Sequence, residues 1–251
     1  MMLTRFKEQL SSLDISVKDN CLLAISGGVD SMVLIDLLCK SKIEFSIAHC
    51  NFNLRGKESQ NDAAFVSSFS SKIDCDYFEA NLATEFYSNH KKISIQMAAR
   101  QLRYSWFNDL LKIYGFSKII TAHNLDDSLE TFIINLSRGT GLKGLLGIPV
   151  KKNNIARPML IFSKEEIVNY ARKNKIKWRE DSTNEKLDYY RNLIRHEITS
   201  KLKLIKPNFL ENFSNTIKNL SSSYKASKSL VQKFKKTYFS EVGNHIEINI
   251  N

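Results

Sequence analysis

The chain has 251 residues, a formal net charge of +11 and four cysteines without a C-x-x-C pair, which argues against a disulfide framework, a zinc site or an iron–sulfur cluster. No uncharged apolar run reaches the roughly 18 residues of a membrane span, and residues 1–12 are too charged for a secretory signal peptide. We therefore expect a cytoplasmic protein with one α/β core and at most one further, smaller domain.

Apolar periodicity predicts alternating helices and strands in the first half of the chain. Strands are expected at residues 21–25, 44–49, 76–81 and 117–122, and helices at residues 4–13, 30–40, 62–71 and 95–114. Strands that alternate with helices pair in parallel through right-handed crossovers. The pattern predicts a doubly wound, mostly parallel α/β sheet with a ligand site at the carboxyl ends of its strands.

A glycine loop, Ser26-Gly27-Gly28-Val29-Asp30-Ser31, joins the first predicted strand to the next helix. Glycine backbones can approach a ligand closely, and the N–H groups at a helix start bind phosphate oxygens. A Walker-type loop would end in Gly-Lys-Ser/Thr, and this loop contains no lysine. The stretch predicts a phosphate-binding loop of another kind, and a simple glycine turn is the alternative.

Two further polar stretches follow predicted strands, so both are expected at the same edge of the sheet. Residues 49–59 follow the second strand, and residues 122–131 follow the fourth strand and open a helix with His123, Asp126, Asp127 and Glu130. We expect the acids in the first turn, where they would also suit the helix dipole without any chemistry. Asp127 and Glu130 share one helix face, which can bind magnesium or position an amine.

The remainder of the chain is predicted to be mainly helical. Residues 137–147 form a glycine-rich segment that either approaches a ligand or ends the helix, and a helix from Ser163 to about residue 174 has a capping box at Glu166. After a polar loop at residues 178–184, the next helix places Arg191 and Arg195 on one face, either as phosphate contacts or as surface ion pairs.

From residue 207 the apolar residues recur at helical spacing. This predicts either a helical hairpin or one long helix, with an apolar stripe facing the core and lysines on the other side. A turn and an alternating strand are expected at residues 242–250.

The net charge lies entirely in the C-terminal part. Residues 1–150 contain 16 Lys and Arg against 16 Asp and Glu, whereas residues 151–251 contain 21 against 10. A block of one sign beside a phosphate loop predicts contact with a nucleic acid. The alternative is a composition rich in lysine that only covers solvated faces.

Taken together, these motifs resemble the tRNA(Ile)-lysidine synthetases of the PP-loop ATP pyrophosphatase superfamily, in unbroken order over residues 20 to about 200. The resemblance rests on residues 26–31, 49–59, 100–104, 122–131, 138–141, 157–160, 180–184 and 191–197. Many members of that family carry histidine where Phe52 and Asn124 stand, so we assign no catalytic role to either position. Longer members also continue with further substrate-binding elements.

The resemblance implies ligation of L-lysine to C2 of the wobble cytidine of tRNA(Ile) with a CAU anticodon. ATP first adenylates O2 of the cytidine, and the ε-amine of lysine then displaces AMP, with Mg²⁺ as cofactor. Residues 1–205 would be the catalytic domain, and residues 206–251 a shortened, basic, helical tRNA-binding domain. The formation of a homodimer is left open.

The resemblance also implies residue roles. The loop would cradle the departing pyrophosphate, with Asp30 facing the phosphates through magnesium as the metal ligand. The nucleotide-binding set is Ser26, Gly27, Gly28, Val29, Asp30 and Ser31. The catalytic set is Asp30, Arg103, His123, Asp127, Glu130 and Arg195, in which the arginines stabilise the phosphoryl group and the acids and His123 receive the lysine amine. The substrate-binding set is His49, Arg55, Arg100, Arg138 and Arg191.

Three alternatives remain. A cytidine thiolase of the same superfamily would use cysteine pairs, which this chain lacks. A small-molecule ligase such as an NAD or GMP synthetase would not need a strongly basic C-terminal part. A tRNA-binding module without enzymatic activity is the third alternative, and pyrophosphate release with and without lysine and tRNA distinguishes all of them.

Overall fold

The computed structural model describes residues 1–180, 189–242 and 245–248, and a six-stranded sheet forms its centre. The strands are β1 Asn20–Ala24, β2 Glu44–Asn51, β3 Tyr77–Asn81, β4 Lys118–Thr121, β5 Lys151–Lys152 and β6 Ile155–Ala156. Their order is β3-β2-β1-β4-β6-β5, and every pairing is parallel except that of β5 with β6. The predicted mostly parallel α/β sheet is confirmed.

Helices cover both faces of the sheet, as a doubly wound fold requires. The helices of residues 1–173 are α1 Met2–Ser12, α2 Val29–Lys40, α3 Lys57–Lys72, α4 Thr84–Lys91, α5 Ile95–Tyr114, α6 Leu125–Ser137 and α7 Lys164–Lys173. Neighbouring side chains of β1 point to opposite faces of the sheet. Leu22 packs with Phe107 of α5 on one face. Leu23 belongs to the cluster on the other face, which contains Phe6 of α1 and Leu34 of α2.

Two short 3-10 helices, Gly144–Leu146 and Pro158–Ile161, flank β5 and β6. The C-terminal part then consists of α8 Tyr189–Leu193, a π-helical stretch Ile194–Thr199, α9 Ser200–Ile205, α10 Phe209–Tyr238 and an antiparallel pair, β7 Phe239–Val242 with β8 His245–Ile248. Of the two predicted arrangements after residue 207, the structure has the single long helix. The strand β7 was not predicted.

The apolar stripe of α10 differs from the prediction. Phe213 is buried, with its ring centroid 5.4 Å from that of Phe132 in α6. Farther along the same helix, Leu230, Val231 and Phe234 are exposed. The prediction of a stripe that faces the core along the whole helix is therefore wrong, because the contact with α6 is made near the start of this 30-residue helix and the helix then extends away from it.

Smaller differences concern element bounds. Helix α3 begins at Lys57, five residues before the predicted start at residue 62, and Glu130 lies in the second turn of α6 rather than in the first. The predicted loop at residues 178–184 and the predicted turn and strand at residues 242–250 lie partly outside the described residues. Among the helices that the structure describes, none combines the length and apolar character needed to cross a bilayer.

Candidate active site

A cavity of about 530 Å³ lies at the carboxyl ends of β1, β2 and β4, where the sequence places its polar stretches. Residues from separate parts of the chain line this cavity. The polar stretches therefore lie at one edge of the sheet, as predicted. The predicted site residues along its wall are Ser26, Asp30, Ser31, His49, Arg55, Arg103, His123, Asp127, Arg191 and Arg195.

The glycine loop has one residue in the left-handed backbone region and is held by hydrogen bonds to a serine side chain. Gly27 has φ +90°, and a Cβ at this position would lie 3.3 Å from Cγ2 of Val66, so glycine is required here. The hydroxyl of Ser31 donates to the carbonyl oxygen of Gly28 at 2.7 Å and accepts from the N–H of Gly27 at 3.1 Å. These bonds hold the loop open at the start of α2, whose free N–H groups attract anions.

Asp30 connects the loop to the starts of α6 and α7. Its Oδ1 accepts from Nδ2 of Asn124 at 3.1 Å, and its Oδ2 accepts from Nζ of Lys164 at 2.6 Å. Asn124 in turn caps α6 in a reciprocal capping box with Asp127. The sequence predicted that an acid of this turn could cap the helix, and in the structure Asp127 does so.

Asp127 is the carboxyl group with a perturbed titration at this site. Burial, with a further contribution from the negative charge of Glu130, raises the pKa of Asp127 to about 6, although the N–H of Asn124 donates to its Oδ2 at 3.0 Å. A carboxyl group with such a pKa can accept a proton near neutral pH. This observation supports the prediction that Asp127 takes part in chemistry in addition to capping its helix.

Glu130 is almost fully buried, and two arginines bind it. Its side chain is 2% exposed, Nε of Arg191 donates to Oε2 at 2.8 Å, and Nε of Arg195 donates to Oε1 at 2.6 Å. Both arginines line the cavity, whereas Glu130 lies behind them. The structure therefore couples three residues whose roles were predicted separately, and it directs Glu130 at the arginines rather than at the cavity.

The two predicted histidines differ in role. Nδ1 of His123 is 2.8 Å from Oγ1 of Thr121, and burial, assisted by the positive charge of Arg157, lowers the pKa of His123 to about 3. His123 is thus neutral at physiological pH and a weak base. His49 is 4% exposed, and its Nδ1 is 2.9 Å from the carbonyl oxygen of Ile25, just before the glycine loop. His49 therefore braces the loop.

A protein-family sequence model described as the PP-loop domain matches residues 2–202 of this chain. This chain belongs to the PP-loop domain family. The matched residues include every element of the sheet, the glycine loop, α6 and both arginines that bind Glu130. The loop at Ser26 to Ser31 is accordingly the PP loop of this protein.

Two curated relatives carry the name tRNA(Ile)-lysidine synthase. The protein of Porphyromonas gingivalis is 44% identical over 200 residues, and that of Petrotoga mobilis is 42% identical over 199 residues. These matches cover 79% and 78% of this chain, but 44% and 64% of the relatives. The chain thus spans less than two thirds of the length of either relative.

Among solved structures, the U34-tRNA thiolase NcsA from Methanococcus maripaludis with its [4Fe-4S] cluster is similar to this chain with a TM-score of 0.72. The two are 16% identical, and the similarity covers 87% of this chain and 77% of the thiolase. At this identity the likeness concerns the fold alone.

A second set of charged residues lies at the opposite side of the PP loop. Asp62 of α3 binds Arg55, with Nη2 to Oδ2 at 2.8 Å, and Arg179, with Nε to Oδ1 at 2.5 Å. The N–H of Arg179 also donates to the carbonyl oxygen of Gly27 at 3.0 Å, which ties the segment after α7 to the PP loop. Arg55 is thus held at the cavity wall by an acid that the sequence did not single out.

Arg103 fits its predicted place, whereas Arg100 and Arg138 lie elsewhere. The guanidinium of Arg103 lies over the ring of Phe52 at 4.9 Å in the cavity wall. Arg100 is exposed and lies over Tyr104, and neither it nor Arg138 is part of the wall. Arg138 is the exposed C-cap of α6, followed by Gly139 at φ +67°, so the glycine segment ends this helix.

Three residues of the site escaped the sequence analysis: Asp62, Lys164 and Arg179. Each is a single charged residue in an otherwise ordinary stretch, and its significance comes from a partner more than 100 residues away: 134 for Lys164 with Asp30 and 117 for Arg179 with Asp62. A helix start of the form Ser-Lys-x-Glu is common, so the capping box identified the helix but not the function of its first residue.

The donor set at the PP loop fits magnesium. Asp30 and Asp127 both line the cavity, and Asp30 contributes to the electrostatic environment of Asp127. Within the described residues, no group of three His, Cys, Asp or Glu could enclose a metal ion. Magnesium typically uses one or two carboxylates together with phosphate oxygens and water, which is what Asp30 and a bound phosphate would supply.

Proposed function

We propose that this chain contains the catalytic part of a tRNA(Ile)-lysidine synthetase, which joins L-lysine to C2 of the wobble cytidine of a tRNA(Ile) with a CAU anticodon. The observation that carries the proposal is one cavity bounded by the PP loop, by Asp127 with its raised pKa, and by the Arg191 and Arg195 pair on Glu130. The two relatives named tRNA(Ile)-lysidine synthase support the choice of substrate.

In the first step, O2 of the cytidine attacks the α-phosphorus of ATP, and pyrophosphate leaves. The PP loop holds the departing pyrophosphate through N–H groups and the hydroxyls of Ser26 and Ser31. Asp30 would hold Mg²⁺, which neutralises phosphate charge when bound. Arg103 and Arg195 face the same cavity and stabilise the negative charge that develops on the transferred phosphoryl group.

In the second step, the ε-amine of lysine attacks C2, the bond from C2 to O2 breaks, and AMP leaves with that oxygen. Adenylation makes this step feasible because it converts a pyrimidine carbonyl oxygen into part of a good leaving group. The attacking amine must lose a proton, and Asp127 is the better acceptor, since its pKa is about 6 and that of His123 is about 3.

The C-terminal part would supply tRNA affinity. Residues 206–251 would form a basic segment on α10, next to a catalytic domain of residues 1–205. This segment belongs to the basic part of the chain, since residues 151–251 carry the whole net charge of +11. Lysines on an exposed helix suit phosphate contacts, which provide affinity without base readout.

A thiolase function is less consistent with the site. Of the four free cysteines in the described residues, Cys50 lines the cavity, and burial raises its pKa to about 12. A thiol with this pKa is protonated at neutral pH and therefore a poor sulfur carrier. The lysidine reaction needs no thiol.

The test is a reconstituted reaction with ATP, Mg²⁺, lysine and the tRNA(Ile) transcript. We expect pyrophosphate release that depends on the tRNA, an adenylated tRNA when lysine is omitted, and lysidine in the nuclease digest by mass spectrometry when lysine is present. A tRNA with cytidine replaced by uridine at the wobble position is the substrate control. A rate of pyrophosphate release that is the same with and without the tRNA would contradict the proposal.

A further inference from the structure

Lys164 brings an ammonium group to a phosphate loop that contains no lysine of its own. Its Nζ donates to Oδ2 of Asp30 at 2.6 Å, although 134 residues separate the two in sequence. Asp30 lies in the first turn of α2, two residues after Gly28 of the loop. The ammonium group therefore lies at the edge of the site where phosphate groups would bind.

The backbone at Lys164 is fixed by contacts with α6. Lys164 is the first residue of α7, and its N–H donates to Oδ2 of Asp126 at 2.8 Å. Two residues earlier, the carbonyl oxygen of Phe162 accepts from the N–H of Leu125 at 2.9 Å. These two bonds join the starts of α6 and α7, so the fold itself aims the side chain of Lys164 at the PP loop.

The ion pair between Lys164 and Asp30 is more open to solvent than the other charge pairs of the cavity. The side chains of Lys164 and Asp30 are 44% and 27% exposed, whereas Glu130 is 2% exposed and its two arginine partners are 33% and 38% exposed. Exposed ion pairs contribute little to stability, so either partner can be exchanged at small cost. Lys164 is therefore suited to a change of partner when a ligand enters.

We propose that Lys164 binds phosphate groups at the PP loop. Without a ligand, its ammonium group pairs with Asp30 instead. This inference rests on the proposed function, because it assumes that the loop binds pyrophosphate. With magnesium bound, the carboxylate of Asp30 would serve the metal, and the ammonium group of Lys164 would be free to pair with a phosphate oxygen.

The test compares two ligands on the full chain and on Lys164→Met, which keeps the apolar stem and removes the charge. In calorimetric titrations with pyrophosphate at saturating Mg²⁺, the variant should bind about tenfold more weakly or worse, the scale of one charge-assisted hydrogen bond. In titrations with Mg²⁺ alone, the variant should bind more tightly, because Asp30 no longer has a competing cation. A merely structural lysine would not shift the two affinities in opposite directions.

Two further variants complete the test. Lys173→Met removes the same charge from the other end of α7 and should leave both affinities unchanged. Lys164→Arg keeps the charge and should retain pyrophosphate binding. Unchanged pyrophosphate affinity in Lys164→Met, or equal loss in Lys164→Arg, would overturn the inference.

The inference and the proposed function can fail separately. If wild-type protein forms lysidine and Lys164→Met binds pyrophosphate like the wild type, the inference fails and the function stands. If Lys164→Met loses pyrophosphate affinity and wild-type protein forms no lysidine, the phosphate site stands and the choice of reaction fails.

Discussion

Arg195 binds Glu130 through both carboxylate oxygens: its Nε donates to Oε1 at 2.6 Å and its Nη2 to Oε2 at 3.2 Å. Burial opposes the charge of Arg195, yet the hydrogen bond and the negative charge of Glu130 outweigh this effect and raise its pKa. A fork of this kind fixes the plane of a guanidinium group. Glu130 therefore acts as a positioning residue for an arginine that faces the cavity.

Glu130→Gln should slow adenylation and lysine transfer together, because Arg195 and Arg191 lose the group that orients them. A glutamate that held the lysine amine directly would slow transfer alone. Single-turnover assays with and without lysine separate the two steps. In a double-mutant cycle with Arg195→Gln, we expect a coupling energy of about 0.5–3 kcal/mol in the free energy of activation. Glu165→Gln on the exposed surface of α7 is the matched control.

Asp30→Ala should leave the fold intact and reduce pyrophosphate release by at least ~100-fold, the scale of one lost transition-state contact. The fold should persist because the ion pair with Lys164 is partly exposed. Circular dichroism and thermal melting check the fold, and Asp109→Ala on the exposed side of α5 serves as control. Normal turnover in a folded Asp30→Ala protein would disprove the assignment of the PP loop.

Asp127 should make stability depend on pH in a defined direction. Its pKa is raised from 3.8 to about 6, so the folded protein disfavours the ionised form. The folded state then binds more protons than the unfolded state between these two values, and stability contributed by this group falls as the pH rises from about 4 to about 6. Above about pH 6, the destabilisation caused by ionised Asp127 no longer changes with pH.

The corresponding measurement is the melting temperature of Asp127→Asn relative to wild type at pH 7.5 and at pH 4.0. Asparagine keeps an oxygen that can accept from the N–H of Asn124, so the helix cap is retained. We expect the variant to melt higher than wild type at pH 7.5 and to lose this advantage at pH 4.0. An advantage that is equal at both pH values would show that the carboxyl group is not perturbed.

The lysines of α10 should set the salt dependence of tRNA binding. Each lost phosphate contact reduces the slope of log affinity against log salt by about 0.7–0.9. Replacement of Lys225 and Lys228, both exposed on α10, by glutamine should therefore flatten the slope and leave ATP affinity unchanged. This design keeps the contact between Phe213 and Phe132, which a deletion of the helix would remove.

The control for this experiment replaces two exposed lysines of the charge-neutral half, Lys72 and Lys112. They lie near the C-terminal ends of α3 and α5. Because those helices start near the carboxyl ends of the strands, their last turns lie toward the opposite edge of the sheet. If both pairs of substitutions change the slope equally, the lysines of α10 act only through net charge.

Features that depend only on neighbouring residues could be predicted from the amino-acid sequence. The strand, glycine loop and helix around Ser26 to Ser31, the bounds of α5 and the capping box of Ser163 with Glu166 all follow from local periodicity, turn residues and caps. The sheet edge that carries the site was also predictable, because parallel βα units place their loops at the carboxyl ends of the strands.

The tertiary structure alone decided which charges meet and which apolar residues are covered. Glu130 was predicted as a group for the lysine amine, but it binds two arginines that lie 61 and 65 residues away, and Lys164 reaches Asp30 from a different helix. The apolar stripe of α10 has a core-like period, yet only its first part meets α6. A periodic pattern encodes one face of a helix and not the element that packs on it, and an ion pair depends on distances that only the packed sheet and helices define.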